Sequence, residues 1–266
     1  MFSFTSDQRM ETPITYAHQD PFFFRYGYAR AGETREVDDA GQDSLAFRIE
    51  DRTFTFVLCD GVSLSFCGDI AAQFLSVRLL DWLHSFSVEE VREKGAMADA
   101  LNAYLEQLVD EATGIVEKHP LPASIPPLVR DVLEEKRTGG SEAMFVCGRV
   151  DILNDWSNEA NLFLGWSGDL RIRAWSGQRE VSGHFQEQAH SHERWSTKRG
   201  IVNGNIHTAG LVDFAQTIDR LVIYSDGFTG IDSLKAMPST AWLQQEMVKS
   251  FRSPTSDDIS FLDIAW

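Results

Sequence analysis

The sequence predicts an α+β protein, in which stretches of antiparallel strands flank a block of helices. Two apolar stretches with strand-like alternation, 45–49 and 54–60, are separated by the short turn Asp51–Arg52, which is typical of an antiparallel hairpin. Apolar residues then recur at helical spacing between residues 69 and 117. From residue 143 the apolar spacing returns to two, which again predicts strands.

The first half of the chain contains most of the predicted helix. Residues 1–20 are polar and have no clear period, so we expect a flexible N-terminal arm there. The aromatic stretch 22–28 predicts the first strand, and the acidic, turn-rich stretch 32–42 predicts a loop. One helix is predicted to begin near Asp69, whose charge suits a first turn. A second is predicted over about 88–117.

The second half is predicted to be mainly strand. The pattern predicts a short helix near 128–136, strands at 143–150, 161–166, 170–175, 220–224 and 259–264, and a short helix near 241–248. Residues 178–210 are polar and rich in His, Ser and Arg, and loops of that length are usually functional or disordered. Because no repeat or linker divides the chain, we expect a single domain over 21–266.

The composition excludes several kinds of partner. The chain has 24 basic and 40 acidic residues among 266, a net charge of −16 with His neutral. Binding to nucleic acid or to anionic membranes needs a basic surface, so neither is expected. Its three cysteines form no CxxC pair, which favours free thiols in a reducing compartment. No apolar run approaches the ~20 residues that cross a bilayer. We therefore expect a soluble, cytoplasmic protein.

Aspartates stand at the edges of several predicted strands. Asp60 and Asp226 each end an apolar strand and are followed by glycine, and Asp43, Asp169 and Asp257 lie beside other strands. Each Asp-Gly pair is also ordinary turn chemistry, and taken singly it carries little weight. If the acids meet at one edge, their repulsion requires a cation. Carboxylate oxygens suit Mg²⁺ or Mn²⁺, and the His residues lack the spacing of a zinc site.

Six short motifs resemble, in order and context, those of the PPM family of metal-dependent serine/threonine phosphatases (type 2C) in its bacterial form. The motifs are Gly32-Glu-Thr-Arg35, Gln42-Asp43-Ser44, Leu58-Cys59-Asp60-Gly61, Gly168-Asp169-Leu170-Arg171, Tyr224-Ser225-Asp226-Gly227 and Asp257-Asp258-Ile259-Ser260. They span about residues 30 to 265. The resemblance implies an αββα sandwich, two antiparallel β-sheets flanked by helices, with a two-metal site at one edge.

The resemblance also implies a role for each acid. Asp60 would bridge two Mn²⁺ or Mg²⁺ ions, and the Gly61 carbonyl would bind one of them. Asp226 and Asp257 would complete the first site. Asp43 would hold metal-bound water, and Asp169 would help to hold a third, weaker ion.

Arg35 matches the family residue that pairs with the substrate phosphate, a contact for which a two-donor guanidinium is well suited. It stands three residues further from Asp43 than is usual, which leaves Asp38 or Asp39 as alternatives to Asp43. We favour Asp43 because a strand follows it directly. The histidine that the family often carries after its Asp-Gly is missing, since Val62-Ser63-Leu64 follow Gly61 here.

The resemblance implies a phosphomonoester hydrolase that dephosphorylates phosphoserine and phosphothreonine in proteins with a water activated by two metals. The expected partners are a phosphorylated protein and a cognate Ser/Thr kinase, and a monomer is expected. Two alternatives stay open. One is a weak or inactive member of the fold that acts by binding, which the altered loop after Gly61 favours. The other is a phosphatase for small molecules.

Overall fold

A computed structural model describes residues 1–123, 125–154, 159–186, 190–250, 252–253 and 256–266. Its strands are β1 (Phe2–Thr5), β2 (Thr12–Gln19), β3 (Phe22–Ala29), β4 (Ser44–Glu50), β5 (Thr53–Gly61), β6 (Glu142–Ile152), β7 (Ala160–Ser167), β8 (Arg171–Ser176), β9 (Arg179–Glu180), β10 (Arg194–Ser196), β11 (Gly200–Val202), β12 (His207–Gly210), β13 (Arg220–Tyr224) and β14 (Ile259–Ala265). Its α-helices are α1 (Gly32–Glu36), α2 (Gly68–His84), α3 (Val88–Arg92), α4 (Lys94–Lys118), α5 (Pro127–Gly139), α6 (Gly183–Gln186) and α7 (Thr240–Ser250).

The strands form two antiparallel sheets. The first, sheet A, has the order β1-β4-β5-β6-β10-β11, and β7 pairs with both β6 and β12. The second, sheet B, has the order β2-β3-β14-β13-β8-β9. The predicted hairpin is confirmed in sheet A, where β4 and β5 pair from Ser44 opposite Cys59 to Glu50 opposite Thr53.

Apolar residues from the inner faces of both sheets form the central core. Phe22 and Phe24 of sheet B pack against Phe47 and Phe54 of sheet A, with ring centroids 5.4–5.5 Å apart in edge-on arrangements. All four side chains are buried. Edge-on contacts of this kind add to the stabilisation that burial alone supplies.

Helices cover the outer faces of both sheets. On sheet A, Leu75 and Leu79 of α2 and Leu101 of α4 join a buried cluster with Val57 of β5 and other residues of that sheet. On sheet B, a second cluster joins α7 to β13 and β14. The layers are therefore helix, sheet, sheet, helix, and the predicted αββα sandwich is confirmed.

Antiparallel pairing brings the strand ends beside the aspartates to the same end of each sheet. In sheet A, the start of β4, the end of β5, the start of β6 and the end of β7 share one edge. In sheet B, the end of β3, the start of β14, the end of β13 and the start of β8 share one edge as well. These two edges carry the aspartates that the sequence singles out.

The N-terminal residues differ from the expected flexible arm. Phe2–Thr5 pairs with β4, and Thr12–Gln19 pairs with β3, so these residues contribute one strand to each sheet. The physical reason is the alternation of Phe2 and Phe4, whose rings lie 5.9 and 5.4 Å from the ring of Phe47. An edge strand with so few inward residues leaves almost no periodic signal.

The helical region differs in detail from the prediction. The helix expected over 88–117 is divided at Glu93 into α3 and α4. The expected loop 32–42 begins with the short helix α1. The excursion 178–210 contributes β9 to sheet B and β10, β11 and β12 to sheet A, although residues 187–189 lie outside the described part. No helix among the described residues is long and apolar enough to cross a membrane.

Candidate active site

Asp60 lies on β5, an interior strand of sheet A. It lies near the end of β5, between β4 and β6, opposite Met144. Burial raises the pKa of its carboxyl well above the usual value, and the charges of Asp226, Asp257 and Asp169 raise that pKa further. The strand thus places the Asp60 carboxylate close enough to three other acids for their charges to affect its pKa.

Asp43 lies beside Asp60. Ser44 faces Cys59 in the antiparallel ladder, so the residue before Ser44 lies next to the residue after Cys59. Only 2% of Asp43 is exposed, and its Oδ2 has no hydrogen-bond partner among the described residues. Burial raises the pKa of Asp43 well above its usual value, and the charge of Asp60 is the next cause. Asp43 is therefore a buried acid with an acceptor atom to spare.

Sheet B supplies the opposite side of the cluster. Asp226 follows the end of β13 and opens a 3-10 turn, and Asp257 lies two residues before β14. Burial raises the pKa of Asp226, and the charges of Asp257 and Asp169 raise it further. Asp257 itself is exposed. Acids from both sheets therefore lie close together at this end of the sandwich.

Asp169 lies in the turn that connects the two sheets, between β7 of sheet A and β8 of sheet B. Gly168 allows this turn, because its φ of 109° is a conformation that other residues rarely adopt. The charge of Asp169 raises the pKa of both Asp60 and Asp226. Asp43, Asp60, Asp169, Asp226 and Asp257 are thus brought to one end of the molecule.

Comparison with known proteins identifies the fold. No family model matches the sequence, and no curated protein matches it. Among solved structures, the serine/threonine phosphatase Stp1 from Staphylococcus aureus is 13% identical, with a TM-score of 0.56 over 98% of this chain and 99% of that one. A bacterial serine phosphatase is 12% identical, with a TM-score of 0.56 over 92% and 97%. RsbX, crystallised with magnesium, is 10% identical, with a TM-score of 0.53 over 95% and 98%.

The chain has the fold of the PPM phosphatases. At these identities the likeness establishes the fold alone, so the roles of the site residues depend on the chemistry of this chain.

One residue that ties the segment 31–42 to the cluster, Asp258, had no role assigned from the sequence. Asp258 is 4% exposed, and its carboxylate accepts hydrogen bonds from the backbone N–H of Ala31, at 2.5 Å, and of Gln42. Burial raises its pKa, while these two hydrogen bonds oppose that effect. Asp258 therefore ties both ends of the segment 31–42 to the start of β14. The only signal in the sequence was the doubled acid Asp257-Asp258.

Arg35 is paired with Glu11, an acid outside the cluster. It lies on α1, and its Nε is 3.5 Å from Oε1 of Glu11. The same oxygen is 2.9 Å from Nε of Arg30, which is 7% exposed. Arg171, by contrast, lies near the acids, because its charge lowers the pKa of Asp226. The sequence reasoning used Arg171 only as part of a motif.

The alternatives to Asp43 lie elsewhere. The side chains of Asp38 and Asp39 are 90% and 72% exposed and are paired with Arg30 and Arg9. The charge of Asp60 affects the pKa of Asp43, and Asp43 alone of the three adjoins a strand of sheet A. The structure therefore places Asp43 in the cluster.

The loop after Gly61 is anchored without a histidine. Val62 N–H donates to the Glu142 carbonyl and Phe66 N–H to the Gly140 carbonyl, at 2.9 and 3.1 Å. Ser65 Oγ accepts from the Glu142 N–H at 3.0 Å. Backbone contacts to the start of β6 thus hold the segment in which PPM phosphatases often carry their histidine.

The donor set fits a hard divalent cation in its chemistry. The clustered acids offer oxygen donors, Asp43 Oδ2 is a buried acceptor with no partner in the described residues, and burial together with the charges of neighbouring acids raises the pKa values of Asp60 and Asp226. No group of three or more His, Cys, Asp or Glu in the described residues could hold a metal ion as its side chains stand. The chemistry of the donors therefore fits Mg²⁺ or Mn²⁺.

Proposed function

We propose that this protein is a metal-dependent phosphomonoester hydrolase that removes phosphate from phosphoserine and phosphothreonine of protein substrates. The observation that carries the proposal is the meeting of acids from both sheets, Asp60 from sheet A and Asp226 from sheet B: besides burial, the charge of Asp226 raises the pKa of Asp60. The fold shared with structures of serine/threonine phosphatases supports the same function.

Asp60, Asp226 and Asp257, with the Gly61 carbonyl, would hold two Mn²⁺ or Mg²⁺ ions, and Asp169 would help to hold a third. When bound there, the ions would neutralise the acids and supply the Lewis acidity for attack by water on the phosphoester. Hard oxygen ligands and the absence of any His-rich ligand spacing in the sequence support these ions over zinc.

The protein's own groups would position the reactants. Asp43 Oδ2, buried and without a partner in the described residues, can accept a hydrogen bond from the attacking water and hold it in place. Arg35, half-exposed on α1, would bind the substrate phosphate through its guanidinium. Its guanidinium is accessible to a phosphate from solvent, since 36% of the side chain is exposed. A protein bearing phosphoserine or phosphothreonine is thus the expected partner.

A second function is favoured by one specific observation. The acids do not form a closed ligand group in the described residues, and the loop after Gly61 departs from the family pattern. A protein that keeps the fold and acts by docking to a phosphoprotein, without hydrolysis, would show both features. Fold alone does not decide between these two functions.

Three measurements on the full chain distinguish them. Hydrolysis of p-nitrophenyl phosphate should depend on Mn²⁺ or Mg²⁺ and be abolished by EDTA. Release of phosphate from phosphoserine and phosphothreonine peptides tests for protein substrates, and turnover of the chromogenic ester alone would indicate a phosphatase for small molecules.

Thermal unfolding supplies an independent readout, because an ion that binds only the folded state raises the melting temperature by mass action. A Mn²⁺-induced rise without hydrolysis would favour the docking protein. No rise and no hydrolysis would show that the acids do not bind metal.

A further inference from the structure

A cavity of about 370 Å³ lies beside the candidate active site. Its walls come from β8, from the segment around Asp232–Lys235, and from Phe185 of α6. Protein cavities of roughly 300–1,000 Å³ with mostly apolar walls and a few polar groups are the usual size and type for small organic ligands. The cavity plays no part in the proposed hydrolysis, since none of the proposed metal ligands lines it.

One side of the cavity is apolar and firmly built. Trp166 and Phe185 are 2% and 4% exposed, and their rings lie edge to face with centroids 5.5 Å apart. Leu170 and Ile172 are 4% and 5% exposed, and Leu234 adds a half-buried edge. This wall suits an aromatic or branched aliphatic group.

The opposite side carries polar groups, of which one pair is already matched. Arg173 donates from Nε and Nη2 to the two carboxylate oxygens of Glu180, at 2.8 and 2.7 Å. Arg173 Nη1 also donates to the Ile231 carbonyl at 2.7 Å. The Arg173–Glu180 pair has no net charge, and its hydrogen-bonding groups already have partners. It therefore shapes the cavity but does not attract a charged ligand.

The remaining charged groups are held loosely. Asp232 Oδ1 accepts from the Tyr224 hydroxyl at 2.8 Å, while its Oδ2 is 3.9 Å from Arg171 Nε, beyond hydrogen-bond distance. Arg171 donates from Nη1 to the Asp169 carbonyl and has a 34% exposed side chain. Lys235 is exposed and has no ion pair within the described part of the chain. Arg171 and Lys235 therefore retain donors that point to an anion.

Charge supports the same ligand. The lining contains three basic side chains, Arg171, Arg173 and Lys235, and two acidic ones, Glu180 and Asp232. The whole chain has the opposite balance, with 40 acidic and 24 basic residues. A local excess of positive charge beside an apolar wall favours an anion with an apolar body over a cation or a neutral polar molecule.

We propose that this cavity binds a small organic monoanion, a carboxylate attached to an aromatic or branched aliphatic group, with the carboxylate at Arg171 and Lys235 and the apolar group against Trp166 and Phe185. Neither Arg35 nor any proposed metal ligand lines the cavity, so the proposal does not depend on phosphatase activity. Leu170 and Arg171 of the lining directly follow Asp169, and Tyr224 of the lining lies two residues before Asp226. A ligand bound in the cavity would therefore lie next to the candidate active site.

The test is isothermal titration of the full chain in EDTA, so that no carboxylate binds through a metal ion. The probes are 2-naphthoate, indole-3-acetate and 4-methylpentanoate, each paired with its uncharged amide. We expect at least one carboxylate to bind with one-to-one stoichiometry and a Kd below about 1 mM, and its amide to bind roughly tenfold more weakly. Failure of all three carboxylates to bind at this strength would overturn the proposal.

Three variants locate the binding. Lys235→Gln and Arg171→Gln should each weaken the carboxylate about tenfold, as expected for loss of a hydrogen bond to a charged group, and leave the amide unchanged. Ser233→Trp, at an exposed position on the lining, should fill the cavity and remove binding of both probes. Lys118→Gln, an exposed lysine on α4, is the matched control and should bind as wild type does.

A variant that fails to fold does not leave the proposal untested. If Ser233→Trp fails to fold by circular dichroism, Lys235→Gln carries the test, because an exposed lysine without an ion pair in the described residues contributes little to stability. Carboxylate binding that survives both Lys235→Gln and Arg171→Gln would overturn the proposal, and so would equal binding of a carboxylate and its amide.

Discussion

The backbones of Gly61 and Gly68 are in direct contact where β5 ends and α2 begins. A Cβ placed on Gly61 would lie 2.5 Å from the carbonyl carbon and oxygen of Gly68, and one placed on Gly68 would lie 2.7 Å from the carbonyl carbon of Gly61. Real side chains do not come this close to backbone, so the approach requires glycine at both positions. The contact fixes the chain immediately after Asp60 and thereby sets where that carboxylate lies.

Replacing Gly61 by alanine should therefore destabilise the protein by about 1–3 kcal/mol, because the backbones must separate. Gly114→Ala is the matched control. Gly114 lies within α4 and nothing lies within 4 Å of its added Cβ, so alanine should stabilise the protein by up to about 1 kcal/mol. Urea unfolding of both variants checks the prediction. Equal effects of the two substitutions would show that the contact at Gly61 has no energetic weight.

Asp60→Asn should abolish metal-dependent hydrolysis while the fold survives. Asparagine keeps the size of the side chain but removes the charge that two cations need, so turnover should fall by about three orders of magnitude or more. The rise in melting temperature with Mn²⁺ should shrink in parallel. Asp99→Asn, an exposed acid on α4, is the control and should behave as wild type. Near-normal turnover in a folded Asp60→Asn protein would contradict the proposed mechanism.

Arg35→Ala should raise KM for a phosphopeptide about tenfold with a smaller change in kcat, the pattern expected when a ground-state contact is lost. Arg9→Ala is the comparison, since Arg9 is an exposed arginine near the same segment. Steady-state kinetics on both variants decide the matter. The proposal for Arg35 fails if its removal leaves KM unchanged, and a rise in KM with Arg171→Ala would then move the phosphate contact to β8.

Asp263→Ala should destabilise the protein by about 3–5 kcal/mol, because it leaves buried positive charge without a partner. The Asp263 carboxylate, 3% exposed, lies 2.6 Å from Nε of both Arg25 and Arg220 within sheet B. Asp81→Ala breaks an exposed pair with Arg48 and should cost less than about 1 kcal/mol. The difference between their urea midpoints is the measurement, and similar midpoints would contradict it.

The sequence predicted the elements that follow from strong local patterns. The hairpin β4–β5 and the strands carrying Asp60 and Asp226 are apolar along their length and end at Asp-Gly, so both their type and their ends are visible. The helical spacing between residues 69 and 117 indicated the helices but not every residue of their buried faces. Leu101, Leu105 and Leu108 are buried, whereas the apolar Val77 and Ile115 are 42% and 41% exposed.

Features that depend on distant partners could not be predicted. The contact of Arg35 with Glu11 joins α1 to the segment between β1 and β2, and the hydrogen bonds of Asp258 join β14 to residues 31 and 42. Neither has a periodic signature, because both are made by single side chains across the fold. The capping box of Ser87 and Glu90 marks the start of α3, where a helix was expected, and gives no signal for the break at Glu93.

The position of β14 has a consequence for synthesis of the protein. This strand follows β13 in the chain but lies between β3 and β13, with Ala29 paired to Ile259. A nascent chain emerging from the ribosome can complete β4, β5 and β6 of sheet A early, yet β3, which pairs with β2 on one side, must wait for β14 on the other. Until then its aromatic edge is open to other strands. The half of the acid cluster next to β14 therefore forms only after residues 256–266 have left the ribosome.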